Sequence, residues 1–194
     1  MNEYETVLVE VERCRTQLHQ LIDDRLDAFM VRITCGDLSE YIRDEAVRAV
    51  PLVSAPARCK GMKPVAAFFH VDVSMVETST WKKAAAAILR DCDADPGRHE
   101  RLMEMRGRVH GNFRRLLAAD PNSMDAPLKI TEGLYLESKF DTQALLDNLT
   151  QKILRRVGYD CGGIAVLYRS PRQEMGLADG EIDPEISAPT GMMM

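Results

Sequence analysis

The side chains whose spacing carries the most chemistry are basic. Arg101, Arg108 and Arg115 recur every seven residues, and Arg106, His110 and Arg114 every four, so a continuous helix would carry each set along one side. Guanidinium groups bind carboxylates and phosphates alike through paired N–H donors. Such rows would meet acids on a partner protein, successive phosphates of a nucleic acid, or the acidic first segment of the chain itself. A second set is His70, Asp72 and Ser74, which alternate along an extended segment and so share one face. There they would be placed to pass a proton or hold a metal, although any half-exposed sheet displays polar residues on one side. His19 and Asp23 stand one helical turn apart, a spacing that serves a metal or a solvated surface pair.

Larger catalytic signatures are missing. His99-Glu100 opens like the HExxH of zinc proteases, but Met103 occupies the second histidine's place. No glycine is followed by lysine, and Gly162-Gly163 leads into a strand pattern where a P-loop would lead into a helix. Neither metal nor cofactor is expected, and the reading leans away from an enzyme. The five cysteines are scattered without a CxxC pair, which points to reduced, buried thiols in a cytoplasmic protein. No run of about 18 to 20 apolar residues offers a membrane span.

The elements that must hold these residues can be read from periodicity. Tyr4, Val7, Val11, Cys14, Leu18, Leu21 and Ala28 follow the alternating 3-4 spacing of a long first helix, with Arg25 inside the stripe and Leu8, Ile22, Leu26 and Phe29 widening it. A stripe this wide suits packing within a bundle, and a coiled coil between two copies is the alternative. Asp37-Leu38-Ser39-Glu40 reads as a capping box opening a second helix to Pro51. Residues 51–64 read as loop, since they hold three prolines and a glycine without period. Residues 65–76 read as one strand buried on its odd face. Helices follow from about Thr80 to Cys92 and from Asp95-Pro96 through residue 117, the latter burying Leu102, Met105, Val109, Phe113, Leu116 and Leu117. Gly107 and Gly111 inside that helix each cost about 1 kcal/mol against alanine, so a break there is the competing reading.

A second strand is expected over 128–136, with Gly133 as a bulge or turn, then a helix over 141–157 ending at Gly158, then a strand in GGIAVLYRS. Strand, helix, strand over 128–169 is compatible with a right-handed parallel crossover. The fold class is therefore α+β and helix-dominated: about five helices and a small sheet of about three strands. Residues 1–170 would form one globular domain and residues 171–194 an acidic, disordered tail.

Charge is segregated. The net charge is -5, yet residues 98–115 hold six arginines against two glutamates, while residues 1–30 hold seven acids against three arginines. With no catalytic signature, this favours a regulatory or interaction protein that presents helical surfaces to a protein partner, with a homodimer on the first helix. Nucleic-acid binding through residues 98–115 is the first alternative, and an enzyme centred on the His70 strand the second.

Overall fold

A computed structural model describes residues 3–39, 42, 46–111 and 113–169. The expected tail of residues 171–194 lies outside the described residues. The fold is mixed α+β, with more helix than strand. Its strands form two antiparallel sheets, where one small sheet was expected.

Helix α1 runs from Glu3 to Cys35. The chain then enters strand β1 (Val47–Pro51), the four-residue helix α2 (Ala55–Arg58) and the hairpin β2 (Lys63–Phe69) and β3 (Ser74–Glu77). Helices α3 (Trp81–Asp93) and α4 (Pro96–Met105) follow, capped by Thr80 Oγ1 and Asp95 Oδ1, which accept from the amides of Lys83 and Arg98. A short strand β4 (Leu117–Ala118) leads to the hairpin β5 (Pro127–Thr131) and β6 (Leu134–Glu137). Helix α5 (Thr142–Asp147) starts on an Asp141 cap, continues as a π-helical stretch over Asn148–Leu154, and gives way to the last strand, β7 (Ile164–Arg169).

The four-stranded sheet has the order β1-β7-β2-β3. Both of its faces are covered, which explains why β2 and β7 are apolar almost without interruption. Val50, Ala67, Phe69, Ile164 and Val166 face the main core with α3 and α5, around Ile88, Leu89, Leu149 and Ile153. Val47, Ala66, Phe68, Ala165 and Leu167 face the other way, onto Val31 and Cys35 from the end of α1 and onto Leu38. The smaller sheet, β4-β6-β5, closes the main core through Leu117, Leu134 and Leu136.

Several expectations are corrected. The capping-box helix after Asp37 is replaced, where residues are described, by a turn and by β1. Asp37 Oδ1 accepts from the Ser39 amide at 2.9 Å, a local turn in place of a helix cap, and Val47–Pro51 pairs with β7. Residues 40, 41 and 43–45 of that expected helix lie outside the described residues. The expected loop contains α2, with proline in its first turn. The single strand over 65–76 is a hairpin, because the chain reverses at His70–Val73 to set Phe69 against Ser74 and Ala66 against Glu77. Residues 128–136 also form a hairpin, with Gly133 in its turn at φ 66°. This hairpin and β7 belong to different sheets, so there is no parallel crossover.

The long helix to residue 117 ends at Met105. Gly107 adopts φ 70°, a left-handed conformation natural to glycine, and its amide donates to the Leu117 carbonyl at 2.8 Å. The chain folds back on itself there, burying Val109, Leu116 and Leu117 as expected but leaving Phe113 99% exposed. That contrast can be measured. Leu89→Ala should lower unfolding stability by about 2 to 5 kcal/mol by opening the core, whereas Phe113→Ala should stay within about 0.5 kcal/mol. Denaturant titration of the two variants decides it.

Candidate functional site

The break at Gly107 disperses the arginine rows, and the structure engages several of their members internally. Arg101 Nη1 donates to the Val157 carbonyl at 2.7 Å and Nε to Gly97 at 3.1 Å. Arg106 ties the end of α4 to the β5–β6 turn, donating from Nη1 to the Gly133 carbonyl at 2.9 Å. Arg114 holds Asp125 at 3.0 Å, and Lys139 reaches the same carboxylate at 3.3 Å. Hydrogen bonding and charge from Lys139, with Arg114 adding to both, hold the Asp125 carboxyl below its ordinary range. Arg108 and Arg115 remain exposed, and His110 turns back to the Arg108 carbonyl at 3.1 Å. The six residues thus do not share one helix face, although the chain folds back to set His110 opposite Arg115.

His70 and Asp72 sit in the β2–β3 turn, and Ser74 opens β3 opposite Phe69, so the three do not share a strand face. His70 and Asp72 do line a cavity of about 380 Å³ with Asp91, Arg98, Tyr159 and Asp160. Its wall is a buried polar group that the sequence does not announce. The Tyr159 hydroxyl donates to Asp91 Oδ2, and Arg98 lies 5.0 Å over the Tyr159 ring. Burial, reinforced by Asp91, pushes the Tyr159 phenol far above its ordinary value, so it stays a neutral donor. Nearby thiols are also poorly suited to attack, because burial pushes Cys161 up to about 11 and Cys92 up to about 12. Glu137 is buried, but its carboxylate accepts from the amides of Asp125, Ala126 and Lys139 at 2.7, 3.0 and 2.8 Å and so serves as a brace for the loop. Among the described residues, no group of three or more His, Cys, Asp or Glu side chains is arranged to hold a metal. Asp23, considered as a partner for His19, is bound to Arg58.

Helix α1 presents a different kind of surface. Near its C-terminal end it packs on β1 and β7 through Val31 and Cys35, and one side chain of α2 adds a set of ion pairs there. Arg58 of α2, only 19% exposed, donates from Nε to Asp27 at 2.8 Å, from Nη1 to Asp23 at 2.7 Å and from Nη2 to Asp24 at 2.8 Å. Burial pushes the Asp27 carboxyl up, against the pull of Arg58. At about 100° per residue, Asp24, Asp27, Val31 and Cys35 mark the docked line of the helix, and Val11, Leu18, Ile22, Phe29 and Ile33 a line about 160° away. All five of these apolar side chains are more than half exposed. The expected bundle packing is thus confined to the last turns, and the wide stripe faces outward. A run of three aspartates at 23, 24 and 27 is the signal that could have revealed the Arg58 contact, since a clustered acid patch on a helix calls for a cation.

Comparison with protein-family models, with curated proteins and with solved structures finds no match. No helix among the described residues is long and apolar enough to cross a membrane.

The two polar groups of the cavity should respond differently to substitution. Tyr159→Phe strips a donor from a partly buried carboxylate and should cost about 1 to 3 kcal/mol of stability. His70→Ala and Asp72→Ala, at exposed turn positions, should change stability by no more than about 0.5 kcal/mol. Thermal melts of the three variants report the difference.

Proposed function

We propose that this is a non-enzymatic interaction protein whose long first helix presents an apolar face to a protein partner. The observation that carries the reading is the line Val11, Leu18, Ile22, Phe29 and Ile33, exposed on the side of α1 opposite its docked face. Contiguous apolar surface rimmed by charge is characteristic of binding sites, and an amphipathic helix is a common way to present it. The glutamates at 5, 10 and 12 flank the stripe, and they favour a protein partner over an anionic membrane surface. Five cysteines without a disulfide suit a reducing, cytoplasmic setting.

The nucleic-acid alternative drew its support from a continuous arginine helix, and that helix ends at Met105. The enzyme alternative retains one favourable observation, the cavity that His70 and Asp72 share with Tyr159 and Asp91. It lacks an activated nucleophile among the neighbouring thiols and phenol.

A photo-crosslinking residue introduced at Ile22 in the full chain should give discrete protein adducts in cell extract. The same residue at Gln17, on the polar side of the helix, should give none. Equal labelling at both positions, or none at Ile22, would contradict the reading. Duplex or single-strand binding that weakens with a salt slope of about 0.7 to 0.9 per phosphate would favour the nucleic-acid alternative instead.

A further inference from the structure

We infer that the partner on the outer face of α1 is a second copy of this chain, paired with it antiparallel. The inference rests on the reading of that face as a protein-binding surface and adds its occupant and its direction. The first ground is charge. Up to Gln20 the helix carries Glu3, Glu5, Glu10 and Glu12 against Arg13 and Arg15. Beyond Gln20 its three aspartates face Arg58 on the docked side, where one guanidinium leaves their cluster net negative, so Arg25 and Arg32 are the charges of that half that flank the outer stripe. Two copies side by side in parallel would set Arg25 against Arg25 inside the apolar stripe, a like-charge contact in a partly desolvated seam. Antiparallel copies centred between Leu18 and Leu21 set Arg25 beside the partner's Cys14, next to the segment holding Glu10 and Glu12. Those glutamates now hold only their own neighbours, Arg13 at 2.6 Å and Arg15 at 3.6 Å, in pairs more than half exposed and therefore weak. The contact of Arg25 with its own copy thus favours the antiparallel direction.

The second ground is extent. A helix of 33 residues is about 50 Å long and about 10 Å wide, so a pair of them covers roughly 1,000 Å² in total, the lower edge of what specific interfaces bury. The stripe runs along that length, with Val7, Val11, Leu18, Ile22, Phe29 and Ile33 exposed on it and Arg15 and Arg25 interrupting it. Geometry permits the pairing, because each folded body sits on the inner face of its own α1 and near one end of it. A two-fold axis through the middle of the seam therefore leaves the two bodies at opposite ends of the paired helices, and it closes the assembly at two chains.

Cys14 makes the direction measurable, since it is exposed while Cys35, Cys59 and Cys92 are buried. Sedimentation equilibrium of the purified full chain at micromolar concentration should give twice the chain mass of 21.8 kDa. Leu18→Glu with Ile22→Glu, at exposed positions that leave the fold intact by circular dichroism, should return it to one chain mass. Under mild oxidation the wild type should form no disulfide between chains, whereas Arg25→Cys should crosslink to the partner's Cys14. A Cys14 to Cys14 disulfide in the wild type, with no crosslink in Arg25→Cys, would overturn the antiparallel order. A wild type that sediments as one chain would overturn the dimer. If the Ile22 adducts then contained a different protein, the interaction reading would survive the loss of this inference, and if there were no adducts both would fall.

Discussion

The placement of α1 depends on one guanidinium. Arg58 uses its three nitrogens on three carboxylates drawn from little more than one turn of the helix, and no other residue ties α2 to that helix through charge among the described residues. Partly buried ion pairs contribute little net stability, because desolvation offsets most of the Coulombic gain, but breaking one leaves an uncompensated charge. The arrangement therefore acts chiefly on specificity. It fixes the rotation of α1 about its own axis, and with it which side chains meet the sheet and which meet solvent. Were the helix turned by half a revolution, Leu18, Ile22 and Phe29 would face inward and three aspartates would lose their partner.

This contact changes the meaning of the charge segregation. Three of the seven acids in residues 1–30 share Arg58, which offsets one of their charges and turns all three toward the docked side, so the acidic end of the chain is less available to a basic partner than its composition implies. The basic stretch is likewise consumed in part, with Arg101 and Arg106 bridging separate loops through backbone carbonyls. The outer stripe of α1 also remains exposed, and a helix of this length with such a stripe is stable in water chiefly when something covers it.

Chemical signals were legible at most helix ends, though the Asp37 capping box opened a turn and no helix. Thr80, Asp95-Pro96 and Asp141 announce helix starts, Gly158 announces an end at φ 72°, and each is found in that role. Signals that rest on periodicity alone failed at reversals. The β2–β3 turn contains neither glycine nor proline, so alternation runs through it unbroken, and His70, Asp72 and Ser74 looked aligned when the backbone between them turns. The seven-residue arginine spacing is a similar case, because it continues across Gly107 while the helix does not. Strand β1 was illegible because its conformation comes from pairing with β7 at the far end of the chain, which local propensity does not report. Of the cavity beside His70, the Tyr159 to Asp91 bond joins residues far apart in sequence and had no local signature.

The most direct test of the Arg58 contact is the reactivity of Cys35. This thiol, the last residue of α1, is 3% exposed where the helix docks on the sheet, whereas Cys92 lies in the main core on the other side of the sheet. In Arg58→Met, alkylation of Cys35 under native conditions should quicken by about tenfold or more, equivalent to roughly 1.4 kcal/mol of lost docking free energy, while Cys92 keeps its wild-type rate. Unchanged labelling of Cys35 in that variant would contradict the account, because it would mean that apolar packing alone holds α1 in place.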